Sequence, residues 1–171
     1  MRDVPIAPHE VQDPLEKNVP GLGLGRDPCR SPMQWSAESG GGFTRGTPWL
    51  PLSADLNETN VATESEDNAS ILSLYRQLIL LRQLEPALTV GAYRQIQVDA
   101  ELFVYERAQG HQRLVIALNF ENHTAALHLP IAGAVAASTH AARPIAEHDI
   151  DQSPSLTTTL HPYEGIIVRV A

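Results

Sequence analysis

Two arginines and an aspartate lie close together in a short segment near the amino end of the chain. Arg26 and Arg30 flank Asp27, and two prolines stiffen the backbone between Arg26 and Trp35. A guanidinium has five N–H donors in a fixed fork, so it can bind a carboxylate and a neutral hydroxyl together. Trp35 and Trp49 can supply flat apolar faces. This combination suits a sugar, which has hydroxyls on its rim and C–H groups on its faces. The residue types support equally well the alternative that the arginines only hold the loop by ion pairs.

The other reactive residue types form weaker patterns. The run Gly21–Gly25 follows no predicted strand and lacks both the G-x-G-x-x-G spacing and a Lys-Ser/Thr pair, so it does not predict a nucleotide site. The histidines occur singly, without the spacing of a metal site on a helix. Cys29 is the only cysteine, which excludes an intramolecular disulfide, and it has no histidine near it in sequence that would activate a nucleophile. We therefore predict no metal and no cofactor.

Composition limits the class of protein. The chain has 171 residues, a formal net charge of −8 and a pI near 5.3, which argue against nucleic acid or an anionic membrane as a partner. A hydrophobic content of 43% is enough for a packed core. No apolar stretch reaches the roughly 18 residues of a membrane-spanning helix, and the amino end lacks the apolar segment of a signal peptide. These features predict a soluble protein in a reducing compartment, most simply the cytoplasm.

The chain falls into three parts that differ in composition. Residues 1–66 are rich in proline and glycine, and only residues 10–17 have the pattern of a helical turn or two, limited by Pro14. A structureless segment of this length is unusual inside a self-contained domain, so it is either a disordered arm or a functional loop that needs a scaffold outside this chain. Large apolar side chains favour the scaffolded loop, namely Leu22, Leu24, Met33, Trp35, Phe43 and Trp49.

Residues 67–86 are predicted to form a helix. Asp67, Asn68 and Ser70 are N-cap candidates, and Pro86 would end the helix. Apolar residues recur with a 3.6-residue period at Ile71, Leu74, Tyr75, Leu78 and Leu81, with Leu72, Ile79 and Leu80 beside them. A face this wide needs a large partner surface.

Residues 87–171 contain short β-rich runs separated by turns. Strands are predicted at residues 90–98, 101–107, 114–120, 124–129, 156–160 and 165–170, with one or two weak edge strands within 133–154. Residues 114–120 form a mostly apolar run, typical of a strand that is buried on both faces. The spacing of strands and turns indicates a small antiparallel β-sandwich.

Longer motifs surround the two arginines and continue along nearly the whole chain. The segment Asn18–Trp35 ends in Arg-Ser-Pro-Met-Gln-Trp. The other motifs are Val11–Pro14, Gly42–Thr44, Trp49–Pro51, Asn60–Thr63, Ser70–Arg82, Leu102–Arg107, Leu114–Phe120 and Pro162–Gly165. Together they resemble the carboxyl-terminal part of an α-glucosidase of glycoside hydrolase family 13, near the oligo-1,6-glucosidase branch. Ser31 stands where this branch usually has threonine.

The resemblance implies an architecture. The chain would be mainly β, with a carboxyl-terminal antiparallel β-sandwich at residues 87–171. Before it would come the last loop and the last helix of a (β/α)8 barrel whose remainder is absent. Residues 1–66 would be the long loop after barrel strand eight, on the active-site side, and residues 67–86 the last barrel helix. The missing barrel portion would then be the partner of the helix.

The resemblance also implies a division of roles among residues. In similar enzymes the arginine that matches Arg30 pairs with a barrel aspartate and binds the non-reducing-end glucose of an α-glucoside oligosaccharide. Arg26 and Asp27 would more simply brace the loop, with a weaker role in substrate binding. The family is retaining, and its aspartate nucleophile, glutamate acid/base and second aspartate come from barrel strands upstream of Met1. Its calcium site also lies upstream. The chain is therefore expected to hold no catalytic residue and to be inactive alone.

Three functions are consistent with the sequence. The first is the terminal segment of an α-glucosidase that acts on short α-glucosides. Trehalose synthases and sucrose-acting relatives carry similar Pro-Met-Gln-Trp loops and form the second, although Trp49–Pro51 followed by Asn60–Thr63 favours the glucosidase branch. The third is a free-standing β-sandwich module that binds sugar or a protein partner without catalysis.

Overall fold

The computed structural model describes residues 3–98, 101–140 and 155–170. The chain divides into two compact units, Met1–Ser73 and Leu74–Ala171. The boundary falls near the start of a helix, so this helix contributes its first residues to one unit and the rest to the other.

The amino-terminal unit consists of short elements joined by long loops. Helix α1 spans Pro14–Asn18, helix α2 spans Val61–Glu66, and two 3-10 turns span Asp27–Arg30 and Ser39–Gly42. The sequence patterns gave a loop with one helical segment here and missed α2. A helix of six residues is too short to display the 3.6-residue period on which the prediction relied.

Side-chain caps explain where both helices begin. The Oδ1 atom of Asp13 accepts a hydrogen bond from the Leu15 N–H at 2.9 Å, and Pro14 is the first helical residue. Pro14 therefore begins α1 instead of limiting it, because the first helical position needs no N–H donor. In α2 the Oδ1 atom of Asn60 accepts from the Thr63 N–H at 3.0 Å.

Polar side chains, more than an apolar core, order this unit. Gln34 is 1% exposed, and its amide nitrogen donates to the carbonyl of Thr59 at 2.5 Å and to Asp55 Oδ1 at 3.3 Å. Among the described residues of this unit, the buried apolar side chains are Val4, Pro32 and Leu50. The large aromatic side chains are about half exposed, namely Trp35, Phe43 and Trp49. The loop therefore keeps its shape through hydrogen bonds.

Helix α3 spans Ile71–Leu84. The Ser73 N–H donates to Ser70 Oγ at 3.0 Å, which identifies Ser70 as the N-cap among the predicted candidates. The proline that ends α3 also starts a short helix α4, Pro86–Val90, which the sequence analysis had assigned to the region of strands. Proline fits the first position of a helix as well as it breaks an interior one.

Most of the apolar surface predicted for α3 is exposed. Leu81 is buried and Leu78 partly buried against the sheet of the carboxyl-terminal unit. Tyr75, Ile79, Leu80 and Leu84 are each more than half exposed. A helix that is apolar around most of its circumference is typical of the interior of a larger domain.

The carboxyl-terminal unit contains seven strands among its described residues. They are β1 Ala92–Val98, β2 Leu102–Gln109, β3 Gln112–Asn119, β4 Ala125–Leu129, β5 Gly133–Ser138, β6 Leu156–Leu160 and β7 Gly165–Val170. One sheet has the order β1-β2-β3-β7-β5, the other pairs β4 with β6, and every pairing is antiparallel. The mainly β, antiparallel character is as predicted. β5 is an edge strand, as expected for the region 133–154, of which residues 141–154 lie outside the described part.

The two sheets enclose one hydrophobic core. Side chains from the large sheet and from β4 and β6 meet there, namely Leu102, Val104, Val115, Ala117, Ala125, Leu127, Leu129, Leu160, Ile166 and Val168. On β3 four consecutive residues, 114–117, are buried. Since successive side chains of a strand point to opposite faces, β3 is covered on both, as its apolar run predicted. On that second face, Leu78 and Leu81 of α3 and Leu88 of α4 pack with Ala136, Ala137 and Ile167 of the neighbouring strands β5 and β7.

An ion triad crosses the first three strands. Glu106 is 5% exposed and accepts from Arg94 Nε at 2.8 Å, while Arg113 Nη2 lies 2.6 Å from its other oxygen. Burial raises the pKa of Glu106, but the hydrogen bonds and charges of both arginines outweigh it and leave the pKa below its usual value. The triad satisfies a buried carboxylate that would otherwise destabilise the sandwich.

The core predicts the effect of a truncation on β4. We expect Leu127→Ala, which removes a side chain that is 0% exposed, to lower the free energy of unfolding of this unit by about 2–5 kcal/mol, measured by urea denaturation followed by circular dichroism. The neighbouring exposed residue is a matched control, because His128→Ala should stay within about 0.5 kcal/mol of wild type. If both substitutions lowered the free energy of unfolding equally, this would contradict the assignment of Leu127 to the inward face of β4.

Candidate functional site

The residues singled out in the sequence come together around a 3-10 turn. Asp27 is the first residue of this turn and Arg30 the last, and Arg26 precedes it. The Cys29 N–H donates to the Arg26 carbonyl at 3.2 Å and closes the turn. The turn therefore presents both arginines within one short segment.

Asp27 holds the loop together from the inside. It is 2% exposed, and its Oδ2 atom accepts from the backbone N–H groups of Gln12 at 2.5 Å and Asp13 at 2.7 Å. Its Oδ1 atom is buried and has no hydrogen-bond partner within the described part of the chain. These contacts support the bracing role that the sequence analysis gave to Asp27.

Asp13 is the central residue of the site, and sequence reasoning missed it. It is 2% exposed and its Oδ1 atom caps α1. Its Oδ2 atom lies 3.2 Å from Arg26 Nε, 3.3 Å from the Arg26 backbone nitrogen and 3.8 Å from Arg30 Nη1. One carboxylate thus serves a helix and both arginines. An aspartate directly before a proline is an N-cap signal, and this signal was present in the motif Val11–Pro14.

The environment of Asp13 favours its ionised form. The hydrogen bond from the Leu15 N–H is the largest influence and lowers the pKa. Burial acts in the opposite direction, and the backbone N–H, side-chain hydrogen bond and charge of Arg26 lower the pKa again, so that it lies below its usual value. Asp13 therefore stays charged under ordinary conditions and attracts both guanidiniums.

Arg26 and Arg30 differ in how firmly they are held. The Arg26 Nε–H donates directly to Asp13. Arg30 Nη1 lies 3.8 Å from the same carboxylate, which is beyond hydrogen-bond distance, and its side chain is 39% exposed. Within the described residues the Arg30 guanidinium donates no hydrogen bond, so its N–H groups are free to bind another acceptor.

The glycine-rich run wraps around an internal anion. Glu16 Oε1 accepts from the Gly21 N–H at 2.9 Å, and Glu16 Oε2 accepts from the Gly25 N–H at 3.3 Å. Gly21 and Gly23 have φ values of 84° and 65°, which glycine adopts without strain. A carboxylate of the chain itself therefore binds these backbone N–H groups.

A cleft of about 510 Å³ lies beside this loop. It is lined by Ile6, Pro8, Val11, Glu16, Lys17, Pro20, Gly21, Gly23, Gly25, Asp27 and Pro28. Neither Arg30 nor the tryptophans line it, and no described ring contact joins Trp35 or Trp49 to Arg30. The suggestion that these rings stand next to the arginines thus has no support among the described contacts.

The remaining candidates from the sequence are the metal ligands, the single cysteine and the isolated histidines. No group of three histidine, cysteine, aspartate or glutamate side chains in that part of the chain could hold a metal ion. Cys29 is exposed and free, and its Sγ lies 3.0 Å from the Arg26 carbonyl. His140 and His161, isolated in sequence, stack with ring centroids 4.0 Å apart in the other unit. No helix of the described residues is long and apolar enough to cross a membrane.

Comparison with known proteins assigns the chain to a family. Residues 1–91 match the model of the α-amylase catalytic domain. The trehalose-6-phosphate hydrolase of Bacillus subtilis is 34% identical over 85% of this chain and 26% of its own length. The oligo-1,6-glucosidase of Parageobacillus thermoglucosidasius is 32% identical over 93% of this chain and 28% of its own length.

The chain is also similar to solved structures of two sugar isomerases. The trehalulose synthase MutB of Pseudomonas mesoacidophila MX-45 aligns with a TM-score of 0.69 and 32% identity over 86% of this chain and 26% of that protein. The isomaltulose synthase of Klebsiella sp. LX3 aligns with a TM-score of 0.71 and 29% identity over the same shares.

The family model, the curated relatives and the solved structures agree on one family. The chain belongs to the α-amylase family, glycoside hydrolase family 13, as its motifs indicated. It spans about a quarter of the length of the relatives that it matches.

The central position of Asp13 has a measurable consequence in acid. Because folding lowers its pKa, the stabilisation from its ionised form is complete above the unfolded-state pKa and is lost as pH falls through the folded-state value, that is, below about pH 4. Both tryptophans lie in the amino-terminal unit, so tryptophan fluorescence during urea unfolding reports on this unit. We expect Asp13→Asn to be less stable at pH 7 and to lose less stability in acid than wild type.

The exposed acidic residue Glu38 provides a control for this measurement. Glu38→Gln should keep the wild-type acid dependence. An unchanged stability of Asp13→Asn at pH 7 would contradict the central role of this carboxylate.

Proposed function

We propose that this chain is the carboxyl-terminal part of a retaining α-glucosidase that releases glucose from the non-reducing end of short α-glucosides. Oligo-1,6-glucosidases of several bacteria are 30–37% identical to it over their matched regions, which supports this substrate class. The related trehalose-6-phosphate hydrolase is, by its name, also an enzyme that hydrolyses a glucoside.

The exposed guanidinium of Arg30 is the observation that carries the proposal. Asp13 attracts it from 3.8 Å without forming a hydrogen bond, so the guanidinium is oriented while its donors remain free. In the whole enzyme these donors would bind hydroxyls of the terminal glucose and a carboxylate from the rest of the protein. A charge-assisted hydrogen bond of this kind orients the sugar ring for attack.

Arg26 and Asp27 would act mainly by keeping Arg30 in place. Arg26 neutralises Asp13, and Asp27 fixes the backbone at Gln12 and Asp13. A weaker contact of either residue with substrate is compatible with this role. In the reaction, this chain would therefore bind and orient the substrate.

The remaining parts of the reaction belong to the portion of the enzyme outside this chain. Retaining glycosidases need an acid/base and a nucleophilic carboxyl group about 5–5.5 Å apart. We place these groups on the missing barrel, with residues 1–66 as the loop over the barrel mouth, 67–86 as the last barrel helix and 87–171 as the carboxyl-terminal sandwich. The exposed apolar side chains of α3 support a position against further barrel elements.

A sucrose-acting isomerase is the second candidate. It is favoured by the similarity to trehalulose and isomaltulose synthases, at 29–32% identity over 86% of this chain. The two candidates differ in their products, because a glucosidase releases glucose, whereas an isomerase converts sucrose into another disaccharide. A non-catalytic sugar- or partner-binding sandwich module is the third, and it would bind oligosaccharide without any added polypeptide.

The chain alone is expected to have no turnover. The purified protein should release no nitrophenol from p-nitrophenyl α-glucoside above the rate of a blank without protein, because the catalytic carboxylates are outside it. Turnover that increases in proportion to the concentration of the chain would contradict this division of the enzyme. Isothermal titration with maltoheptaose in the same preparation tests the non-catalytic module.

Joining the chain to a barrel tests Arg30. We consider a single polypeptide in which this chain replaces the matching carboxyl-terminal region of the Parageobacillus oligo-1,6-glucosidase. We expect Arg30→Ala to lower its kcat/KM for isomaltose by about 10- to 150-fold, the effect of losing about 1.5–3 kcal/mol of charge-assisted hydrogen bonding.

Two further variants separate binding from stability. Arg45 is exposed in the same unit, so Arg45→Ala should leave kcat/KM within about twofold of the parent. Arg26→Ala should mainly lower the free energy of unfolding. Equal activity of the Arg30 and Arg45 variants would contradict the role of Arg30, and product analysis with sucrose distinguishes hydrolysis from isomerisation.

A further inference from the structure

The cleft beside the glycine-rich run has the dimensions of a small-molecule site. Its volume is about 510 Å³, and such sites range from about 300 to 1,000 Å³. All of its lining residues lie between positions 6 and 28 of the amino-terminal unit. Five of them present apolar side chains, namely Ile6, Pro8, Val11, Pro20 and Pro28. Mainly apolar walls with a few polar groups are usual for a ligand site. We call it the Asp27 cleft.

Hydrogen bonds hold the walls of the Asp27 cleft in place. The Val4 N–H donates to the Pro28 carbonyl at 2.9 Å, which ties the amino-terminal segment to the 3-10 turn. Glu16 fixes the glycine-rich run, and Asp27 fixes the backbone before α1. Because these walls are ordered before any ligand enters, binding would lose little affinity to the ordering of the loop.

The polar groups of the lining suit a neutral ligand that has hydroxyls. Glu16 and Asp27 are carboxylates and Lys17 is the one cation in the described lining, so one negative charge is in excess. The Lys17 ammonium already donates to Gln12 Oε1 at 3.2 Å. Asp27 Oδ1 is buried without a hydrogen-bond partner within the described residues, and a hydroxyl that reaches it would supply the missing donor. A phosphate ester is anionic at neutral pH and would be repelled.

The Asp27 cleft lies next to the segment that carries Arg30. Asp27 accepts from the Asp13 N–H at 2.7 Å, and Asp13 Oδ2 lies 3.8 Å from Arg30 Nη1. Asp27 and Pro28 line the cleft and also belong to the 3-10 turn that ends at Arg30. A 3-10 turn rises about 2 Å per residue, so these lining residues and Arg30 are about 4–6 Å apart along its axis. This spacing is comparable with the length of one sugar ring.

We propose that the Asp27 cleft receives the sugar on the leaving-group side of an α-glucoside whose terminal glucose is bound by Arg30, and that its excess negative charge selects an unphosphorylated sugar. The inference rests on the proposed function, since it specifies the substrate of the same enzyme. It also separates two kinds of relative, because the name trehalose-6-phosphate hydrolase states a phosphorylated substrate and the name oligo-1,6-glucosidase does not. Repulsion of the wrong ligand contributes to specificity as much as attraction of the right one.

Trehalose and trehalose 6-phosphate are matched probes, because they differ only in the phosphate. The isotope-labelled chain is titrated with each sugar and followed by NMR. The amides of Gly21, Gly23 and Gly25 report on the cleft, and the amide of Gly46 is a reference outside the lining. We expect trehalose to shift the three cleft glycines saturably. Trehalose 6-phosphate should bind at least about tenfold more weakly, because like charges repel.

A lysine on the cleft wall should reduce this preference. Pro8 is exposed and lines the cleft, so Pro8→Lys removes the excess negative charge and should narrow the difference in affinity between the two sugars by about three- to tenfold. Thr47→Lys adds the same charge at an exposed position outside the lining and should leave the difference unchanged. Val11→Ser removes an apolar contact and should weaken the binding of both sugars alike. Tryptophan fluorescence during urea unfolding checks that the unit is folded in each variant.

Three results would overturn the proposal. These are cleft glycines that do not respond to trehalose, an equal or higher affinity of the unaltered chain for trehalose 6-phosphate, and an equal effect of Pro8→Lys and Thr47→Lys on the difference between the sugars. The titrations require no turnover. A joined enzyme that does not hydrolyse isomaltose would therefore contradict the proposed function alone. Hydrolysis that depends on Arg30, together with cleft glycines that do not respond to trehalose, would contradict the role of the cleft alone.

Discussion

The amino-terminal unit depends on one buried carboxylate. Asp13 caps α1 with one oxygen and attracts Arg26 and Arg30 with the other. Burying a charge is costly unless hydrogen bonds and opposite charges compensate it, and here both do. The same residue therefore starts a helix, closes the loop and orients the guanidinium that we propose for sugar binding. The stability of the loop and the position of the guanidinium proposed for sugar binding share this carboxylate, so a change at Asp13 alters both.

Internal anions and amides replace a hydrophobic core in this unit. Glu16 organises the glycine-rich run, Asp27 fixes the backbone before α1, and Gln34 bridges to the segment before α2. Such a loop can hold a polar site in a fixed geometry, because a network of directional bonds defines it more narrowly than apolar packing does. It also leaves Trp35, Phe43 and Trp49 half exposed.

The carboxyl-terminal unit is stabilised mainly by an apolar core. Its core lies between two antiparallel sheets and is apolar throughout, and the triad around Glu106 neutralises a carboxylate buried in the large sheet. The opposite face of that sheet is only partly covered by α3 and α4. Several large apolar side chains of α3 are exposed, and β2 carries the buried Arg107 Nε, which has no hydrogen-bond partner within the described residues.

The sequence by itself determined the family, the antiparallel sandwich, the candidates for the N-cap of α3 and the double burial of β3. These features depend on local patterns, that is, on motif spacing, alternation of apolar residues and capping residue types, which can be read without knowing what lies opposite. It also indicated that α3 needs a large partner surface, because the apolar period is visible in the residues alone.

Only the tertiary structure decided the centre of the site and the surface of the sheet. Asp13 meets Arg26 and Arg30 across 13 and more positions of the chain, and no local pattern encodes that meeting. The position of Glu16 inside the glycine-rich run depends equally on distant backbone, and so does the buried Arg107 Nε, which has no hydrogen-bond partner within the described residues. The short helices α2 and α4 were missed because capping and a single proline, not a period, define them. Local residue types determine where the helices and strands form. Hydrogen bonds and ion pairs between distant parts of the chain determine which of their side chains meet.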